Sequence, residues 1–160
     1  MRRVWQVYCL MLAAVIGQNP SLLPAAEASG RPQAELLGRR IEGFRLQDFR
    51  GKSYALADFG DQQAIVLCFL GTECPLAKLY GPRIQKLSEQ FAARGVTFLG
   101  ISSNSQDSVT ELAAYARGHE LTFPILKDLG QKVAEMCGAT RTPQVFVLDR
   151  ERKVCGGCRS

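Results

Sequence analysis

The spacing of hydrophobic residues changes several times along this chain, and each change marks an element. Ala64-Ile65-Val66-Leu67-Cys68-Phe69-Leu70 is an unbroken apolar run. It is too short for an ordinary helix and rich in strand formers, as a strand buried on both faces should be. Gly71 and Thr72 end it, and from Pro75 the apolar residues recur at Leu76, Tyr80, Ile84, Leu87 and Phe91, a helical spacing that predicts the buried face. Proline suits a helix's first turn, where its missing N–H costs nothing. Pro82 leaves the Lys78 carbonyl without a donor, and because the period continues past it a kink is expected there, not an end.

The same reading orders the rest. Ahead of the central strand, Phe44 and Leu46 alternate with polar neighbours, Arg50-Gly51-Lys52 supplies a turn, and Ser53 to Leu56 answers as a second short strand. Gly95 closes the first helix and Val96 to Ile101 is a second buried strand. Ser108-Val109-Thr110-Glu111 has capping-box spacing and opens a helix with an expected inner face of Val109, Leu112, Ala113 and Ala116, ended by Gly118. Phe123 to Leu126 reads as extended, Asp128 as the cap of a helix through Val133 and Met136 to Gly138, and Val145 to Leu148 as a fourth strand. Strands alternating with helices, without internal repeats, predict an α/β domain around a central sheet.

Composition narrows the picture. The chain has 160 residues, 46% hydrophobic and 22% charged, enough to bury one real core. A net charge of +5 is mild and forms no stripe with interleaved aromatics, which argues against nucleic acid as a partner. The N-terminus stands apart. Arg2 and Arg3 precede an apolar segment from Val4 to Gly17, and Ala26-Glu27-Ala28 is a small-x-small site, so residues 1–28 read as a signal peptide cut after Ala28. The apolar segment is short for a membrane span and is interrupted by Gln6, so no stable span is expected after cleavage; a retained anchor is the alternative. Tyr8 before Cys9 does not suit lipid attachment. Residues 29–37 then read as a flexible linker, 38–154 as the folded domain and 155–160 as an atypical tail. In either case the domain would be exported, to the periplasm or beyond.

Export permits disulfides. Without Cys9 there remain Cys68, Cys74, Cys137, Cys155 and Cys158, an odd number that leaves at least one thiol unpaired. Cys74 is the best-placed nucleophile. It stands where the central strand hands over to the helix, and a helix N-terminus favours a thiolate over a thiol. Cys68, inside the strand, reads as a small core hydrophobe, and His119, the only histidine, as a loop residue. Cys155-Gly156-Gly157-Cys158 has the spacing of a redox pair or half a zinc site, but no further ligands stand near it in sequence, and no metal is expected.

Together these residues resemble the thioredoxin-like superfamily, in its redoxin branch (alkyl hydroperoxide reductase and thiol-specific antioxidant). The likeness rests on four stretches: the strand, turn and Cys-Pro from Phe69 to Leu76; Pro82, where thioredoxins kink this helix; Phe123-Pro124-Ile125-Leu126-Lys127-Asp128; and Gly138 to Pro143 followed by Gln144 to Asp149. The resemblance implies a thioredoxin-like fold with a cis Thr142-Pro143 peptide facing Cys74. It also implies Thr72, Thr142 and Pro143 as the substrate platform and a thiol chemistry without metal or organic cofactor. Departures matter as much. Thioredoxins carry a second cysteine three residues after the nucleophile, and here Ala77 stands there. Peroxiredoxins place a threonine three residues before it, where this chain has Gly71, and their usual arginine position falls at Pro143, with Arg141 displaced. Cys68 occupies the place of the thioredoxin buried acid.

A lone cysteine still attacks a disulfide, or is oxidised by a peroxide, and waits for an external thiol reductant. Cys137 is a possible resolving thiol. Glu73 is expected to face solvent. The turn at Asp149 to Arg152 lies at the far end of a strand that starts beside Cys74, and five strand residues span roughly 17 Å. The tail thus starts far from the site, with little room for a last strand. The relatives that the resemblance points to continue through this strand into a further helix, so the C-terminus reads as truncated, with an unpaired sheet edge. Two functional classes follow: an exported thiol-dependent oxidoreductase acting on a disulfide partner or a peroxide, or a non-catalytic binding module or fragment of a larger exported redox protein.

Overall fold

The computed structural model describes residues 36–159, so the signal peptide and most of the linker expected from the sequence lie outside the described residues. The central apolar run forms β3 (Ala64–Phe69), flanked by β1 (Arg45–Asp48), β2 (Ser53–Ala55), β4 (Val96–Ser102), β5 (Ile125–Lys127), β6 (Gln144–Leu148) and β7 (Val154–Arg159). The order across the seven-stranded sheet is β2-β1-β5-β4-β3-β6-β7. β3, β4 and β5 are parallel, and β6 returns antiparallel to β3 with Phe69 opposite Gln144. The helices are α1 (Pro75–Ala92), α2 (Val109–Gly118) and α3 (Lys132–Cys137).

β3 is buried on both faces because its residues alternate between two apolar layers. Ile65, Leu67 and Phe69 point into one, with α3, Ile41, Phe146 and Val154. Val66, Cys68 and Leu70 point into the other, with α1 and α2. Ser108 opens α2 with the expected capping box: its hydroxyl accepts from the Glu111 N–H at 3.2 Å, and the Glu111 carboxylate accepts from the Ser108 N–H at 2.7 Å. Asp128 anchors α3 from outside it, its carboxylate accepting the N–H groups of Val133 and Ala134.

The helix faces differ from expectation. α1 runs unbroken through Pro82, but it buries Ala77, Gly81, Ile84 and Gln85, while Leu76 and Leu87 lie exposed. Gly81 lies against Tyr115 and His119, where a Cβ would come within 3.5 Å of both, and the Ala77 carbonyl accepts the Tyr115 hydroxyl, so the small residues face α2. In α2, Val109 is exposed and Tyr115 takes a place in the core instead. Leu36, expected in the linker, is buried in the α3 layer. The last strand also forms. β7 pairs antiparallel with β6, with an irregularity at Val147/Leu148, so the edge expected to lie open at β6 is covered.

Candidate active site

Three loops meet at the C-terminal ends of β3 and β4. The first is the Gly71–Cys74 turn, which ends with Cys74 as N-cap of α1. The second follows β4 and contains Asn104 and Asp107. The third is the Thr142–Pro143 loop before β6, whose peptide is cis, as the resemblance implies. Gly71 lets them close together: a Cβ there would lie 2.6 Å from Asn104 Nδ2 and 3.1 Å from Thr142 Oγ1.

Cys74 is half-buried, and its thiol donates to the Thr142 carbonyl at 3.0 Å. That contact belongs to the protonated form and opposes ionisation, as does burial, the largest single influence on the sulfur. The Ala77 backbone N–H, the Thr142 side chain and the Leu76 backbone N–H donate to the sulfur and together prevail, leaving the thiol below its ordinary value. Glu73 faces solvent beside Lys78, 3.9 Å away.

Of the residues expected here, the structure brings Cys74, Thr142 and Pro143 together. Thr72 is different. It is 5% exposed and turned inward, with its hydroxyl donating to Asp107 Oδ1 at 2.7 Å and its N–H to Oδ2 at 3.3 Å. Both of its donors are therefore engaged, and neither is left for a substrate. Cys137 is fully buried in the layer on the other side of the sheet from Cys74 and is not brought to it; burial pushes its thiol up to about 12. Cys68 is buried in the Cys74 layer, and burial pushes it up to about 12 as well. Cys155 is a free exposed thiol on β7, 3.4 Å from the Val147 carbonyl. In β7, Cys158 pairs with Val145, so the tail runs back toward the Pro143 end of β6 and not away from it.

Sequence reading missed Asp107 and Tyr115. Asp107 is 3% exposed and also accepts from Ser102 Oγ at 2.9 Å and Asn104 Nδ2 at 3.3 Å. The one signal for it was its place in a polar loop just past a buried parallel strand, where α/β sheets assemble their sites. The Tyr115 hydroxyl donates to the Ala77 carbonyl at 2.8 Å in the first turn of α1, and its ring lies 4.7 Å from that of His119. Beside Thr142 is an open recess of about 410 Å³, lined by Phe69, Asn104, Thr140 and Arg141. A larger one of about 810 Å³, between the β1 strand and α3, includes neither Cys74 nor Thr142.

A half-exposed cysteine at a helix N-terminus, facing a cis-proline loop across a mixed sheet, defines a thioredoxin-like protein of the redoxin branch. The chain belongs to the AhpC/TSA family, whose model matches residues 37–155. It is 25% identical over 118 residues to the thiol-disulfide oxidoreductase ResA of Bacillus thuringiensis, covering 74% of this chain and 66% of that protein. To the chloroplastic peroxiredoxin Q of Populus jackii it is 26% identical over 121 residues, covering 71% of this chain and 55% of the relative. The chain thus spans just under two thirds, or less, of these relatives' lengths. A solved structure of a hypothetical protein from Sinorhizobium meliloti 1021 is similar with a TM-score of 0.73 at 31% identity, over 77% of this chain and 70% of that one. Among the described residues no helix is long and apolar enough to cross a membrane.

Proposed function

We propose that this protein is an exported thiol–disulfide oxidoreductase of redoxin type that works with one nucleophilic cysteine, Cys74, on a platform of Thr142 and Pro143. The observation that carries this reading is the Cys74 sulfur, reachable from solvent, lowered in pKa and 3.0 Å from the Thr142 carbonyl. The Cys74 thiolate attacks one sulfur of a substrate disulfide, forming a mixed disulfide and expelling the other sulfur as a thiolate, which takes up a proton. An external thiol then attacks the mixed disulfide as its thiolate, leaving with the substrate sulfur and restoring Cys74. Ala77 in place of a second cysteine supports a resolving thiol from outside, and the burial of Cys137 supports it further. Export rests on the basic and apolar N-terminal pattern and its Ala26-Glu27-Ala28 site.

Peroxide is the less supported oxidant, because Thr72 is committed to Asp107 and Arg141 stands in the recess beside Thr142 as an exposed side chain. The test follows Cys74 by mass spectrometry after an oxidised peptide disulfide or hydrogen peroxide is added to the reduced protein. A mixed disulfide at Cys74, released by added thiol and absent in Cys74→Ser, is the expected result. Sulfenic acid forming faster than the mixed disulfide would move the assignment to a peroxidase. Reaction of Cys74 with neither, at the rate of an ordinary thiol, would leave a non-catalytic binding module.

A further inference from the structure

Resting on that reading, we infer that Asp107 is a positioning residue for the reaction: through Thr72 it clamps the Gly71–Cys74 turn in the one arrangement that presents the sulfur to Thr142. Asp107 comes from the loop after β4, a different part of the chain from the nucleophile turn. It is 3% exposed, and both its oxygens are engaged. Oδ1 accepts the Thr72 hydroxyl at 2.7 Å. Oδ2 is shared among Ser102 Oγ at 2.9 Å, the Thr72 N–H at 3.3 Å and Asn104 Nδ2 at 3.3 Å. A buried carboxylate is tolerated only when so surrounded by donors, and charge-assisted bonds of this kind are the stronger sort.

The clamp has a direction. Ser102 ends β4, a buried strand paired with β3 and, at Ser102 itself, with Lys127 of β5, so Asp107 is referenced to the sheet. Thr72 hangs from Asp107 by two bonds, and Cys74 follows two residues later as N-cap of α1. The third participant, Asn104, is held by Asp107 and lies against Gly71, which itself lies against Thr142. One carboxylate therefore sets the spacing of the nucleophile turn and, through Asn104, of the wall it leans on. Thr72 serves the site from within, 5% exposed and with both its donors on Asp107.

The experiment separates this from a structural role. In the full chain, the rate of Cys74 alkylation by iodoacetamide is followed against pH by peptide-resolved mass spectrometry, alongside the thermal midpoint. Thr72→Val removes the hydroxyl at nearly constant shape and charge. It is expected to move the alkylation midpoint upward by about half a pH unit or more, about a threefold loss of thiolate at lower pH. Asp107→Ala shifts it further the same way, whereas Asp107→Asn keeps an acceptor for the Thr72 hydroxyl and falls between. Thr72→Ser, which restores the hydroxyl, recovers most of the shift. The sign matters, because losing a nearby negative charge alone would move the midpoint down. A downward shift in Asp107→Ala with none in Thr72→Val overturns the clamp, and so does an unchanged midpoint in Thr72→Val whose thermal midpoint has fallen. If Asp107→Ala does not fold, Thr72→Val and Thr72→Ser decide. A depressed wild-type midpoint that no variant moves removes only the clamp; a wild-type midpoint at the free-thiol value removes the proposed function with it.

Discussion

Cys74 and Cys137 are one residue type placed at opposite ends of two helices, and their environments push them apart. Cys74 precedes α1, where backbone N–H groups converge on the sulfur and solvent reaches it. Cys137 is the last residue of α3, with no exposed surface, packed among Val133, Leu36 and Phe146 in the opposite layer. Burial is the main reason the Cys137 thiol rises, and the Asp128 carboxylate adds to it; at Cys74 burial also raises the thiol, but the N–H groups of the helix N-terminus and the Thr142 side chain outweigh it. The net result is one thiol lowered and one pushed up to about 12. Reactivity in this chain is thus a property of where the fold sets each cysteine.

The sharpest way to break this comparison is to remove each thiol in turn. Cys74→Ser should reduce disulfide exchange to the uncatalysed background, whereas Cys137→Ala should keep the wild-type rate in the same assay. Loss of turnover in Cys137→Ala, with Cys74 still forming its mixed disulfide, would mean that the buried thiol resolves it after a local opening.

Labelling gives the next largest contrast. In native protein near neutral pH, Cys74 should react with iodoacetamide on the order of a hundredfold faster than Cys137 or Cys68, which become accessible only by opening of the structure. Denaturant should erase the ratio. Comparable native rates would contradict the burial described.

Alkaline pH tests the same contrast through stability. Cys68, Cys137 and Tyr115 are each pushed up to about 12 by burial, so the unfolded chain releases their protons first. Their contribution to stability is fully present below the ordinary thiol and phenol values and is lost as pH rises from there toward about 12. Cys74, with its lowered value, acts with the opposite sign: its ionisation favours the fold, and that contribution fades as pH falls through its folded value. Urea unfolding at several alkaline pH values should show a falling midpoint, with a shallower fall in Cys137→Ala. The smallest expected effect is on stability at neutral pH. Cys137→Ser places an unpaired hydroxyl in an apolar site and should cost roughly 1–3 kcal/mol, more than Cys137→Ala, by chemical denaturation.

Much of this was legible along the chain. The Ile65–Leu70 run, the Ser108–Glu111 box and the Cys-Pro at the head of α1 are local signals, and local signals survive folding. The helical spacing of the apolar residues in α1 placed Ile84 on the buried face correctly but also Leu76 and Leu87, which are exposed. The helix instead turns Ala77 and Gly81 inward, where Tyr115 of α2 and His119 beyond it lie close against them. The last strand was misread because β7 owes its existence to a partner, β6, and to nothing in Cys155-Gly156-Gly157-Cys158 itself. The resemblance implies Thr72 as part of the substrate platform, but in the structure its two donors point to a carboxylate 35 residues away.

By itself, then, the order of residues determined the strands before β7, the starts of α1 and α2, the resemblance to the family and the cysteine set at a helix N-terminus. Periodicity, capping and turn chemistry are short-range, and they are written in neighbouring letters. Only the tertiary structure decided which thiols are shut away, that Asp107 stands under the nucleophile turn, and that the tail returns along β6. Those outcomes depend on which surfaces meet across the sheet, and no spacing along a single strand or helix encodes them.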